Sequence, residues 1–278
     1  MSQGKRELPP LPESLPVPAV DAHTHLDACG CTTAADVTAM VDRAEAVGVT
    51  RVVTVADDLA AARFAVEAST WDGRVFAAVA MHPTRTAKFT ESDRAELAEL
   101  AVLPRVVAIG ETGLDYYWDY SPPGAQQEAF RWHIELAKST GKPLMIHDRD
   151  AHSDVLRILD EEGAPSTVVF HCFSGDAQFA RECVDAGYVL SFAGTVTFRN
   201  AKALREAATL VPAEQLLVET DAPFLAPHPF RGRANEPYCL AYTLRDLANV
   251  RGMDVAELAA ATTATANRVF GLEEVANR

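Results

Sequence analysis

From residue 17 onward the chain alternates between two hydrophobic patterns. One is a short, continuous apolar run, as expected of a strand buried on both faces. The other is a longer stretch with apolar residues three and four apart, as on one side of a helix. The runs are residues 17–26, 51–55, 75–80, 106–109, 143–146, 167–170, 188–192 and 216–218. After the first, Val37, Met40, Val41, Ala44 and Val47 recur at helical spacing, with Gly48 as a stop. Ala61, Phe64, Ala65, Ala68 and Trp71 mark the next helix. Further helices are predicted over 91–101, 126–139, 153–160, 177–185 and 201–208, and two more after the loop HPFRGRANEP. Eight strands, each followed by a helix, predict an α/β fold: a (β/α)8 TIM barrel with an extra C-terminal helix. An open doubly wound sheet is the alternative. It normally carries a Gly-rich phosphate turn, and no G-x-G-x-x-G or Walker-type loop is present. Residues 1–16 are polar and Pro-rich and read as a tail or a clasp across the closed end of the barrel, leaving 17–278 as one domain.

Composition narrows the class. The chain has 278 residues, 48% of them hydrophobic, and a net charge of −14. An acidic surface argues against long, sequence-neutral contact with duplex DNA, which needs basic surface. It does not argue against gripping the end of a strand through metal ions. The five cysteines are irregularly spaced, and Cys29-Gly30-Cys31 has no second pair to complete a thiol site. The N-terminus lacks an apolar signal region, and no run reaches the ~18 residues of a membrane span. A cytoplasmic, monomeric protein is the expectation.

The chemistry lies at the strand ends. His23 and His25 are two apart on a strand and share a face. Glu111, His147, His171 and Asp221 each sit at or just after another apolar run. In a barrel, the C-terminal strand ends carry the active site. His133 and His152 fall on helices instead and read as packing or surface residues. The six remaining groups exceed what one tetrahedral ion needs and suit two ions sharing a carboxylate. We expect His23, His25 and Asp221 on one ion, His147 and His171 on the other, and Glu111 between them. Asp221 beside the attacking water is placed to act as general base. Two histidines per ion favour Zn or Mn over Mg on ligand softness.

These motifs, DAHTHLD (21–27), GETGLDYY (110–117), IHDRDA (146–151), HCFSG (171–175) and ETDAPFL (219–225) followed by RGRANEP (231–237), resemble the TatD family of metal-dependent hydrolases. The resemblance covers the chain from residue 19, with the motifs in the family's order. It implies a TIM barrel of the amidohydrolase superfamily, the same six metal-site residues, and a divalent-metal-dependent deoxyribonuclease that removes nucleotides 3′→5′. It points to Mg as the assay metal. It also implies that Glu111 stands where many relatives in the wider superfamily use a carboxylated lysine. One position departs: the family's His-Pro-His after the third strand is His82-Pro83-Thr84 here. Thr84 cannot act as a charged phosphate partner, which bears on rate and substrate choice more than on metal binding. His82 itself is expected to contact substrate.

Candidate substrate contacts are Arg149, Arg231, Arg233 and Asn235 for phosphate and Tyr116, Tyr117 and Trp118 for base stacking. A solvated turn fits Arg231–Asn235 equally well, and a lid on the barrel rim fits the aromatics. Asp27 is expected to orient a ligand, and His228 to be structural. The favoured partner is a nucleic-acid end, with single-stranded DNA first. Two other readings remain open here: an amide, lactone or aminoacyl-ester hydrolase, and a metal-containing binding protein with little catalysis.

Overall fold

Strands buried on both faces leave no alternation of polar and apolar positions, and the apolar runs are such strands. The computed structural model describes residues 7–273. Its strands are β1 (Ala19–Thr24), β2 (Val49–Val55), β3 (Val75–Val79), β4 (Val106–Asp115), β5 (Leu144–Arg149), β6 (Val168–Phe170), β7 (Val189–Phe192) and β8 (Leu216–Val218). They form one parallel eight-stranded sheet in sequence order. The helices between them are α1 (Ala34–Glu45), α2 (Leu59–Trp71), α3 (Glu91–Ala101), α4 (Pro123–Thr140), α5 (His152–Glu162), α6 (Ala177–Asp185) and α7 (Lys202–Leu210), followed by α8 (Leu240–Arg251) and α9 (Val255–Phe270). The fold is the expected TIM barrel with α9 as the additional helix.

Two apolar layers hold it. Outward-facing strand residues such as Val52, Ile109 and Leu216 pack beneath the helices with Phe130, Ile158 and Leu244. Inward-facing residues, among them Val20, Phe76, Met145 and Leu217, fill the barrel and join Ala266, Val269, Phe270 and Leu272. The end of α9 therefore plugs the closed end of the barrel. The Pro-rich segment lies elsewhere. Over its described part the Tyr242 hydroxyl donates to Pro10 O (2.9 Å), and Arg245 donates to Glu13 O (2.7 Å) and Ser14 O (3.1 Å). Leu15 N–H then donates to Val47 O at 2.9 Å. The segment runs along the flank beside α8 rather than across the end that α9 occupies.

Two strands continue past the C-terminal ends of their apolar runs. β4 continues through Gly110–Asp115 and β5 through Arg149, because the β4–β5 ladder persists, pairing Gly113 with His147 and Asp115 with Arg149. Gly113 has φ +132°, and a Cβ there would lie 2.2 Å from His147 O, so only glycine lets the two strands approach. Polar residues fill these upper turns of the barrel, which is why an apolar criterion ends the strands early.

The helix-borne His133 is fully buried. Its Nδ1–H donates to Ala129 O (2.7 Å), and its Nε2 accepts from Met81 N–H (3.1 Å), bracing the end of β3. This geometry requires the neutral ring, and burial pushes its pKa from 6.5 down to about 3. The unfolded chain takes up a proton below 6.5 that the folded chain refuses. Stability from this site is therefore present above pH 6.5 and lost as pH falls toward 3. Between pH 7 and pH 5 the loss is about 2 kcal/mol. Urea unfolding of wild type and His133→Gln at both pH values checks this. The wild-type advantage is expected to shrink by that amount at pH 5, and a pH-independent gap would refute it.

Candidate metal centre

Five strands deliver the site. β1 carries His23, and His25 follows one residue past its end. Their Nε2 atoms converge to 3.1 Å. β8 leads into Asp221, whose Oδ1 lies 3.4 Å from His25 Nε2 and 3.7 Å from His23 Nε2. Glu111 lies inside β4, not at its end, and its two oxygens face different neighbours. Oε1 is 3.6 Å from His25 Nε2 and 4.0 Å from His23 Nε2. Oε2 is 2.6 Å from His171 Nε2 and 3.5 Å from His147 Nδ1. All six predicted metal-site residues thus gather around the two oxygens of Glu111.

The outer nitrogen of each imidazole decides what the inner one presents. His25 Nδ1–H donates to Val55 O at 2.9 Å, and His147 Nε2–H to Asp115 Oδ2 at 2.9 Å. His171 Nδ1 lies 3.2 Å from Glu219 Oε1, and His23 Nδ1 lies 3.1 Å from Met145 Sδ. With those protons fixed outward, four inner nitrogens offer lone pairs to two carboxylates. Lone pairs facing carboxylate oxygens repel unless a cation lies among them. Glu111 Oε2 is buried with no hydrogen-bond donor, although His171 Nε2 lies 2.6 Å away. The donor set therefore fits metal ions. The protonation energetics agree. Burial opposes charge on His25, yet the Asp221 and Glu111 carboxylates raise its pKa to about 9. Burial likewise opposes charge on His171, and Glu111 and Glu219 nonetheless raise it well above 6.5. At His23 burial and the neighbouring His171 act the other way and hold the pKa well below 6.5, so protonation is favoured at His25 and His171 but not at His23.

β1 and β8 meet here without a regular ladder. Asp221 N–H donates to His23 O (2.9 Å), and His25 N–H donates to Ala222 O (2.8 Å). Fully buried Asp21 accepts from Thr220 N–H at 2.9 Å and His23 N–H at 3.3 Å. Burial raises its pKa to about 8, against the lowering effect of these hydrogen bonds.

His82 stands beside the cluster, its Nε2 3.9 Å from Glu111 Oε1. Its Nδ1 accepts from Thr84 N–H (3.1 Å), with Thr84 Oγ1 at 2.7 Å. With Nδ1 accepting, Nε2 carries the proton and faces the mouth, although His82, Glu111 and His147 also stand close enough together to hold an ion. Burial pushes its pKa down to about 3, keeping the ring neutral. The backbone N–H of Thr84, at the departure from His-Pro-His, favours this tautomer, and its hydroxyl stands beside the same nitrogen.

The centre opens into a cavity of about 680 Å³ lined by Arg149, Arg85, Trp118, Tyr120 and Phe224 among others. Of the predicted substrate contacts, Arg149, Trp118 and His82 are there. Tyr116 is not: its hydroxyl donates to Asp154 Oδ2 (2.7 Å) outside the mouth. Asn235 is buried, its amide spent on Thr220 O (2.9 Å) and Phe224 O (2.6 Å), so it supports the β8 loop instead of meeting phosphate. Arg231 lies over the Phe198 ring, 4.6 Å from its centroid, beside a separate small pocket. Asp27 lines the cavity, but Val55 O, not Asp27, orients His25. His152 pairs with Asp148 at 2.6 Å, and His228 N–H donates to Thr197 Oγ1 at 2.7 Å, both structural contacts. The orienting residues Asp115, Glu219 and Asp21 were missed, although all three lie within or beside the quoted motifs.

A sequence profile described as "TatD related DNase" matches residues 20–271. The chain belongs to the TatD family. A metal-dependent hydrolase of Mycobacterium tuberculosis H37Rv named TatD is 60% identical over 258 residues, 91% of this chain and 98% of that one. A Citrobacter rodentium protein named 3′-5′ ssDNA/RNA exonuclease TatD is 40% identical over 199 residues, covering 69% of this chain and 75% of its own. The crystal structure of YJJV, a TatD homologue of Escherichia coli K12, superposes with a TM-score of 0.84 at 28% identity, covering 91% and 98% of the two chains. This chain is thus a TatD-family metal-dependent hydrolase. Among the described residues no helix is long and apolar enough to cross a membrane.

Proposed function

We propose that this TatD protein is a two-metal phosphodiesterase that removes nucleotides from the 3′ ends of single-stranded DNA. The observation that carries the reading is Glu111. Its two oxygens face separate donor sets beneath a mouth that holds arginine. His23, His25 and Asp221 would hold one divalent ion, His147 and His171 the other, with Glu111 between, the ions being Mg, Mn or Zn. Bound there, such ions supply Lewis acidity at phosphoryl oxygens and make water acidic enough to deprotonate near neutral pH. The chain's own groups do the rest. Asp221 accepts the proton of the attacking water. His82 Nε2–H donates to a phosphoryl oxygen. Arg149 makes no ion pair among the described residues, and its guanidinium matches phosphate geometry. The exonuclease relative supports the nucleic-acid class.

The test uses metal-stripped protein re-supplied separately with Mg, Mn or Zn and a 5′-labelled single-stranded oligonucleotide. A metal-dependent ladder shortening from the 3′ end is expected. An intact oligonucleotide under all three metals, with two ions bound per chain, would move the activity to another ester or an amide.

A further inference from the structure

Large aromatics left exposed on a folded protein mark contact surfaces when they cluster. Tyr117 (55%), Trp118 (44%), Tyr120 (66%) and Phe224 (55%) are exposed to solvent, and Trp118, Tyr120 and Phe224 line the mouth. Tyr117, Trp118 and Tyr120 follow β4, and Phe224 follows β8. These strands are four places apart in an eight-strand order, so the two groups face each other across the barrel. The rings of Trp118 and Tyr120 are parallel, 5.5 Å apart at 5°. Phe224 stands at 6.0 Å, edge to face, from the ring of His25.

Both walls are fixed by buried polar groups. Asp115 Oδ1 accepts from Tyr117 N–H (3.0 Å) and Trp118 N–H (2.9 Å), while its Oδ2 orients His147. Asn235 holds Phe224 O, and Phe224 N–H donates to Asp221 O at 2.8 Å. Each wall is thus tied to a metal-site residue. Arg149 lies 3.8 Å from the Tyr117 ring centroid, placing a cation beside the β4 wall.

We propose that Trp118–Tyr120 and Phe224 are two opposed stacking faces that take unpaired bases on either side of the scissile phosphate. This rests on the phosphodiesterase reading above. Flat aromatic faces accept any base and leave its pairing edge unread, so recognition is sequence-neutral. A base must leave a duplex stack to reach them, which an unpaired end does at no penalty. The walls therefore select ends that carry bases and are single-stranded.

The experiment compares two single-stranded oligonucleotides differing only at the 3′-terminal three positions, which carry either bases or abasic tetrahydrofuran residues. Metal-loaded wild type, Trp118→Ala/Tyr120→Ala, Phe224→Ala and the ring-keeping Trp118→Phe/Tyr120→Phe are assayed on both. Wild type is expected to show a KM about 5- to 150-fold lower for the base-bearing end, the range of one stacked base. Both alanine variants are expected to bring that ratio toward one, and the phenylalanine variant to restore it. A ratio near one in wild type, or a wild-type ratio in both alanine variants, overturns the proposal while leaving the exonuclease standing. Cleavage of neither strand by wild type overturns the phosphodiesterase reading, and this proposal with it.

Discussion

Replacing Glu111 by glutamine is expected to lower phosphodiester hydrolysis by about 10³-fold while leaving a folded barrel. The magnitude follows from the several kcal/mol that metal-ion charge stabilisation supplies, at 1.36 kcal/mol per tenfold. The direction follows from position. Glu111 is the group whose oxygens touch both donor sets, Oε1 toward His25 at 3.6 Å and Oε2 toward His171 at 2.6 Å. A neutral amide keeps the shape but presents NH₂ protons to one set of lone pairs, so one side loses its negative ligand. Metal analysis is expected to drop from two ions per chain to one or fewer. Unfolding supplies the control. Metal-stripped variant and wild type are expected to melt alike, because the change is isosteric, and the rise in Tm on adding metal is expected to shrink in the variant. Unchanged metal content and unchanged rate together would remove Glu111 from the bridging position.

Much of this architecture is visible in the chain before any coordinates. Strands buried on both faces produce continuous apolar runs, so β1, β6 and β8 announce themselves. The histidine–carboxylate cluster is legible because a barrel confines chemistry to one rim, and a histidine or carboxylate after an apolar run falls on that rim. What is not legible depends on contacts between strands. β4 runs six residues past Ile109 because its ladder with β5 continues, although Gly-Glu-Thr-Gly breaks the apolar pattern. Asp115 and Glu219 orient His147 and His171 across strand boundaries, which spacing within one strand cannot reveal. The aromatic loop shows the finer limit. Neighbouring Tyr116 and Tyr117 point to different places, one bonded to Asp154 and the other under Arg149. Asn235 looked like a phosphate contact by its company with arginines, yet its amide is consumed by the backbone of the β8 loop.

These supporting contacts make the floor and walls one assembly. Asp115 serves a ligand with one oxygen and the β4 wall with the other. Asn235 spans Thr220 O and Phe224 O, on either side of Asp221. Geometry at the histidine–carboxylate cluster and geometry at the mouth are therefore set together, which is what the proposed placement of a phosphate and its flanking bases requires.

Asp221 gives the sharpest separation of chemistry from structure. It adopts φ +53°, a left-handed backbone that asparagine tolerates well and most other residues do not. Asp221→Ala would mix a backbone penalty of about 1–2 kcal/mol with the loss of the carboxylate. Asp221→Asn keeps the backbone bonds to His23 O and from Phe224 N–H and removes only charge and basicity. The expected result is a fall in kcat of about 10²- to 10⁴-fold, the range for losing a general base. KM for the oligonucleotide is expected to change little, because Arg149 and the aromatic walls are untouched. Metal at His147 and His171 is expected to stay, while occupancy at His23 and His25 weakens. A variant that keeps wild-type kcat but binds less metal would make Asp221 a ligand only and transfer the proton to another acceptor. A variant that loses kcat with both ions still bound would assign it the base role outright.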